Sequence, residues 1–159
     1  GLSEQLVREP GARRVIWAGN NYIPDGGAMP ADRFLHLTGN TSLVSLPALI
    51  RRADWVISND SGPMHLAAAM QVRTFAIFGP TDPRLFGPYP LTAPTNHVIQ
   101  APLGDLRLLS VKDVLARFRP EAAPDQAPEI VFYTGCNLMK TPRLLQHLVL
   151  SSVISSRCG

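Results

Sequence analysis

The chain has 159 residues, of which 45% are hydrophobic and 17% are charged. This length suits one domain of ordinary size, and the composition is that of a globular protein, which excludes a chain disordered throughout. The formal net charge of +3 is spread over scattered arginines and does not indicate nucleic-acid binding. It suits either a solvated basic face or an anionic ligand such as a nucleotide diphosphate.

Cysteine content and hydropathy bear on the cellular location. Cys136 and Cys158 both lie near the C-terminus and give no disulfide framework, so we expect a reducing, cytoplasmic environment. No signal peptide is recognisable at the N-terminus. The longest apolar-leaning stretch, residues 144–154, is interrupted by polar side chains and is shorter than the roughly 20 residues of a membrane span. No transmembrane helix is therefore predicted.

Over most of the chain, short apolar runs alternate with segments whose apolar residues recur at helical spacing. The predicted strands are residues 15–18, 34–37, 55–58, 72–78 and 98–100. The predicted helices are residues 42–50, capped by Thr41 or Ser42, then 61–70 and 111–118. Strands separated by helices of this length form right-handed crossovers, which predicts an α/β fold with a parallel, Rossmann-like sheet and flanking helices.

Composition also predicts the domain boundaries. Residues 1–118 form the predicted α/β domain, with loops at residues 20–32 and 86–94, and residues 119–129, rich in Pro and Ala, read as a linker. Residues 130–159 are then expected to be a short C-terminal appendage, with a strand at 130–133 and a helix at 144–154 that belong to a separate unit.

The segment NDSGPMHLAAA, residues 59–69, lies between a predicted strand and a predicted helix. In parallel sheets, ligands bind beyond the carboxyl ends of the strands. Backbone N–H groups of Ser61 and Gly62 at a helix start suit a diphosphate, and Gly62 lets its oxygens approach. His65 can donate to the same phosphate, whereas Asp60 suits sugar hydroxyls. Alternatively, Asp60 and Ser61 are only an N-cap and His65 is a surface histidine.

Three ordered motifs carry a resemblance to a known family. LTGNTSL at residues 37–43, ADWVISNDSGPMHLAAAM at 53–70 and FGPTDPRLFGPY at 78–89 resemble signatures of the ADP-heptose:lipopolysaccharide heptosyltransferases. The resemblance covers residues 13–118 and implies the C-terminal, nucleotide-binding domain of a GT-B glycosyltransferase. It implies that the acceptor site and the general base belong to an N-terminal domain, which is absent here. The first strand of the nucleotide domain is also expected to be absent.

The resemblance also implies roles for individual residues. Asp60 and His65 would be the catalytic residues. The residues expected to bind the donor are Thr41 and Ser42 near the nucleoside, Asp60, Ser61, Gly62 and His65 at the diphosphate and sugar, and Gly79, Pro80, Thr81 and Asp82 in a neighbouring cleft loop. Thr41 could instead be only a cap, and residues 79–83 only a tight turn. Asn40 occupies a place that is often basic in relatives, and the loop at residues 20–32 replaces a helix.

The implied reaction is inverting transfer of a heptose from ADP-heptose to a lipopolysaccharide-core acceptor. A helix N-terminus and His65 would stabilise charge on the leaving diphosphate. The chain has no Asp-x-Asp motif, so we expect no metal and no cofactor. The resemblance further implies a cytoplasmic enzyme, with peripheral association of the full enzyme with the inner face of the cytoplasmic membrane.

The C-terminal residues resemble a different family. VFYTGCNLMKTPRLL, residues 131–145, resembles the start of the cysteine-rich domain of heterodisulfide-reductase-like iron–sulfur oxidoreductases, with Cys136 at the first cysteine. An inert Cys136 is an equal alternative, because two thiolates are fewer than a cluster requires. Two alternative functions therefore stand beside the transferase: a nucleotide-binding module without catalysis, and a truncated iron–sulfur oxidoreductase fusion.

Overall fold

A computed structural model describes residues 14–19 and 32–118 in full and the backbone of residues 129–133. These residues form a parallel sheet of six strands in the order β2-β1-β6-β3-β4-β5. The strands are β1 (Arg14–Gly19), β2 (Phe34–Thr38), β3 (Trp55–Asn59), β4 (Arg73–Phe78), β5 (Asn96–Gln100) and β6 (Glu129–Tyr133). The helices are α1 (Leu46–Arg52), α2 (Gly62–Ala69), α3 (Pro83–Phe86) and α4 (Val111–Arg117).

Hydrophobic side chains cover both faces of the sheet, as expected for parallel strands. On one face, Trp55 and Phe75 pack with Val114 and Phe118, which belong to α4 and the residue that ends it. On the other face, α1 and α2 cover the sheet, and the small side chain of Ala67 lets α2 approach closely. The Rossmann-like α/β fold predicted from the sequence is thereby confirmed.

The start of α1 differs from the prediction. Neither Thr41 nor Ser42 is the N-cap, because the helix begins at Leu46 with Ser45 before it. Pro47 explains the shift, since proline lacks an N–H and is tolerated only in the first turn of a helix. A helix that began at residue 42 would have placed Pro47 in its second turn.

The strand predicted at residues 130–133 forms, but it lies in the main sheet rather than in a separate unit. It pairs with β1 on one side, where Ala18 faces Tyr133, and with β3 on the other, where Ser58 faces Tyr133. Its central position arises from backbone pairing with strands more than 70 residues earlier in the chain, which a local pattern does not reveal. Residues 20–31 of the predicted loop, residues 119–128 of the predicted linker and the predicted helix at residues 144–154 lie outside the described residues, whereas residue 129, predicted to end the linker, begins β6.

Short helical segments follow β4 and β5. The predicted turn at residues 79–83 leads into α3, whose N-cap is Asp82. Two single 3-10 turns, Pro102–Gly104 and Leu106–Leu108, follow β5, and the second begins at Asp105. These segments place the loops after β4 and β5 side by side at the carboxyl edge of the sheet.

Candidate site at the carboxyl edge of the sheet

The carboxyl ends of all six strands meet at one edge, and the chain changes direction there. From β1 it continues to β2 on one side, whereas β3, β4 and β5 follow one another on the other side. The point of reversal lies between β1 and β3, in the position that β6 fills. Ligands of open α/β sheets bind at such a switch point, and the loop from Asn59 to Gly62 borders it.

Ser61 precedes α2 but does not cap it with its side chain. Its hydroxyl lies 3.0 Å from the hydroxyl of Ser58, which is buried, and donates to the carbonyl of Asn59 at 3.2 Å. The side chain is therefore turned back to the end of β3. Ser61 therefore occupies the N-cap position, as the alternative interpretation expected, but its side chain makes no capping hydrogen bond.

The first turn of α2 is open to ligand approach. Pro63 has no N–H, and the N–H of Met64 donates to the carbonyl of Ser61 at 3.1 Å. Gly62 is exposed, and a Cβ atom placed on it would meet nothing within 4 Å. Since no side chain caps the helix, the N–H of Gly62 lies at the open end of the α2 dipole.

Asp60 and His65 flank this open end. Asp60 is half-buried and interacts with another group of the protein. His65 is exposed on the first turn of α2, where its ring is available to a ligand. The structure thus brings together four of the residues predicted for the diphosphate and sugar: Asp60, Ser61, Gly62 and His65.

Thr41 and Ser42 lie after β2, at the other end of this edge. The Thr41 hydroxyl donates to the carbonyl of Leu37 at 2.7 Å, and Ser42 exchanges hydrogen bonds with Ser45. Three strand spacings, about 14 Å, separate the end of β2 from the end of β3. A ligand that reached both loops would therefore pass over the ends of β1 and β6.

The loop of Gly79, Pro80 and Thr81 lies directly beside the Asp60–Gly62 loop, because β3 and β4 are neighbours. Gln100, which lies outside the three sequence motifs, donates from Nε2 to the carbonyl of Thr81 at 3.2 Å and to that of Gly79 at 3.4 Å. Its place at the end of β5 could have suggested this role. Gly79 is buried, and a Cβ placed on it would lie 3.3 Å from the Leu106 side chain, so its smallness serves packing.

Asp82 is engaged with its own loop. Its carboxylate accepts the N–H of Arg84 at 2.9 Å and pairs with the Arg84 guanidinium at 2.7 Å. These hydrogen bonds hold the pKa of Asp82 below its usual value and raise that of Arg84. The carboxylate therefore fixes the start of α3, and it faces a guanidinium rather than open space.

Within residues 14–19 and 32–118, no group of three or more His, Cys, Asp or Glu side chains could hold a metal ion. The same part of the chain has no helix that is both long enough and apolar enough to cross a membrane. Cys136 and Cys158 lie outside the described residues.

Comparison with known proteins shows the family to which the chain belongs. The profile of glycosyltransferase family 9 (heptosyltransferase) matches residues 27–116, more than half of the chain. Over 77 residues the chain is 35% identical to lipopolysaccharide heptosyltransferase 3 of Escherichia coli. The matched segment covers 48% of this chain and 21% of that protein. Over 102 residues it is 29% identical to lipopolysaccharide heptosyltransferase 2 of Salmonella typhimurium, covering 60% of this chain and 28% of that protein.

A shorter segment of the chain matches a third relative with higher sequence identity. Over 46 residues the chain is 50% identical to lipooligosaccharide heptosyltransferase 2 of Campylobacter jejuni, covering 29% of this chain and 14% of that protein. The chain thus spans between 14% and 28% of the length of these relatives. No solved structure matches it significantly.

Proposed function

Because this chain belongs to glycosyltransferase family 9 (heptosyltransferase), we propose that it is the donor-binding half of a glycosyltransferase of lipopolysaccharide-core synthesis. The proposed reaction transfers a heptose or related sugar from an ADP-sugar to a lipopolysaccharide-core acceptor. The relatives carry the heptosyltransferase and lipopolysaccharide names, and the open N-terminus of α2 is the feature of this chain that supports the proposal most.

A diphosphate fits that feature for three reasons. The Ser61 hydroxyl is turned toward Ser58 and leaves the end of α2 uncapped. The absence of a side chain at Gly62 lets phosphate oxygens approach its N–H. The helix dipole and the N–H groups of the first turn favour a bound anion.

His65 and Asp60 have different proposed roles. As the bond between sugar and diphosphate breaks, negative charge develops on the leaving diphosphate, and a hydrogen bond from the exposed His65 ring stabilises it together with the helix. Asp60 precedes the helix and binds hydroxyl groups of the donor sugar, because a carboxylate next to the diphosphate would repel it. We propose that this donor half needs no metal or cofactor.

The acceptor and the base that deprotonates it belong, in this proposal, to the N-terminal domain that the resemblance implies. The nucleotide-sugar donor would be bound here, and the full enzyme would act in the cytoplasm, at the inner face of the membrane. We propose no nucleic-acid partner. The isolated chain is then expected to bind donor without transferring sugar, as a nucleotide-binding module without catalysis would.

Calorimetry with ADP and an assay with ADP-heptose test this proposal together. We expect ADP to bind the folded chain and free heptose not to bind. We also expect no heptose transfer to a core acceptor above background. A folded sample that does not bind ADP would contradict the proposed donor site, and transfer by the isolated chain would contradict the assignment of the general base to another domain.

A further inference from the structure

The hydroxyl of Ser58 is buried near the end of β3, on the face of the sheet that α2 covers. Ser58 is 1% exposed, and Val56, which precedes it on the same face, packs with Ala67 of α2. A buried hydroxyl needs a hydrogen-bond partner inside the protein, because it has lost its contacts with water. The carbonyl of Asn59 accepts from it at 3.0 Å, and the hydroxyl of Ser61 lies 3.0 Å away. These partners of Ser58 belong to the loop that precedes α2.

The backbone of Ser61 is suited to capping α2 with its side chain. Its φ of −165° and ψ of 165° are extended, as is usual for an N-cap residue. An N-cap serine accepts the N–H of the residue two or three positions later. Pro63 has no N–H, so a capping Ser61 would accept that of Met64, which instead donates to the Ser61 carbonyl at 3.1 Å. Rotation of the Ser61 side chain would therefore move its hydroxyl from Ser58 to the first turn of α2.

Ser110, in front of α4, has the capping arrangement. Its backbone is also extended, with φ of −83° and ψ of 157°, and its hydroxyl accepts the N–H of Asp113 at 3.2 Å. Ser110 is exposed, whereas Ser61 lies against the buried hydroxyl of Ser58. The contact with Ser58 accounts for the different position of the Ser61 side chain.

We propose that Ser58 is a positioning residue, which holds the hydroxyl of Ser61 away from the first turn of α2 and keeps that turn open to the diphosphate. A capping hydroxyl would accept an N–H of the first turn and would stand where a phosphate oxygen is proposed to bind. Without the contact to Ser58, a side chain of the protein would compete with the ligand. The inference rests on the proposed function, because this competition affects the donor only if the donor binds at the end of α2.

Ser58→Ala tests the proposal, and Thr74→Val is the matched control. Thr74 is also buried, and its hydroxyl donates to the carbonyl of Val72 at 2.9 Å, near the amino end of β4 and away from α2's first turn. Each variant loses one buried hydroxyl group, so each should lower Tm. Ser58→Ala should also lower the affinity for ADP about fivefold, which corresponds to the roughly 1 kcal/mol of a serine N-cap. Thr74→Val should leave the affinity, measured by calorimetry, unchanged.

A double variant separates competition by Ser61 from a general loss of structure. When Ser61→Ala is added to Ser58→Ala, no hydroxyl remains to cap α2, but the N–H groups of the loop are retained. The double variant should therefore bind ADP more tightly than Ser58→Ala does. A purely structural role of Ser58 predicts the opposite, because the second substitution would then add to the damage.

The position of the Ser61 side chain can also be followed without ligand, from three-bond couplings that report its χ1 angle. We expect a different χ1 in Ser58→Ala and the original χ1 in Thr74→Val. The proposal is overturned by an unchanged χ1 or an unchanged ADP affinity in Ser58→Ala, by equal losses of affinity in the two single variants, or by a double variant that binds no better than Ser58→Ala. An unmodified chain that binds no ADP would contradict the proposed donor site, and χ1 would still decide whether Ser58 holds Ser61.

Discussion

The hydroxyl groups of Ser58 and Ser61 lie 3.0 Å apart, so the residue in front of α2 is tied to the end of β3 rather than to the helix that it precedes. This contact leaves the N-terminus of α2 without a side-chain cap. In the proposed donor site, the backbone of Gly62 is therefore open to a bound anion.

Replacement of Gly62 by valine is expected to weaken ADP binding about tenfold or more, because one charge-assisted hydrogen bond contributes roughly 1.5–3 kcal/mol. Folding should be little affected, since a Cβ at this position meets open space. Calorimetry measures the affinity, and thermal unfolding checks the fold. Ala69→Val, at the exposed far end of the same helix, is the control. Equal affinities for both variants would argue against phosphate binding at Gly62.

Substitution of His65 tests the second component of the site. His65→Gln should lower the affinity for ADP several-fold, up to about tenfold, because a hydrogen bond from the ring to phosphate is lost or weakened. His97 is also exposed but lies near the start of β5, at the opposite edge of the sheet, so His97→Gln should leave the affinity unchanged. If the two variants bind ADP equally well, His65 does not contact the nucleotide.

The central strand β6 should be essential to the fold. Val131 pairs with Ile16 on one side and Val56 on the other, so proline at this position removes a hydrogen bond inside the sheet. Val131→Pro is expected to lower Tm by roughly 10 °C or more. Lys112→Pro is the control, since it lies in the first turn of α4, where proline is tolerated. An unchanged Tm for Val131→Pro would mean that residues 129–133 are dispensable.

Most of the sheet could be predicted from the sequence. Local sequence patterns are sufficient to recognise the apolar runs of β1 to β5. They also place the NDSG segment between β3 and α2. A correct prediction of the start of α1 needs the position of Pro47 as well as the helical spacing. A correct prediction that Asp82 caps α3 needs the N–H of Arg84 as its partner. The place of β6 depends on backbone pairing with distant strands, which composition and periodicity do not encode.

Low pH should weaken the start of α4. Hydrogen bonds from the Ser110 side chain and backbone lower the pKa of Asp113. Since the folded pKa lies below the unfolded value of about 3.9, the ionised carboxylate stabilises the fold at neutral pH. That contribution is lost as pH falls through the folded pKa. Tm measured from neutral to acidic pH should therefore fall less steeply in Asp113→Asn, and Ser110→Ala should have a similar effect. Identical pH profiles for these variants and the unmodified chain would contradict the capping box.

The proposed donor site is tested most directly by following the backbone amide resonances of the isotope-labelled chain during titration with ADP. We predict that the largest shifts occur at Ser61, Gly62 and His65, with smaller shifts at Thr81 in the neighbouring loop. Residues at the amino ends of the strands, such as Trp55 and Asn96, should not respond. Saturable binding without shifts at Gly62 and His65, or shifts centred elsewhere in the sheet, would contradict the assignment of the diphosphate to the N-terminus of α2.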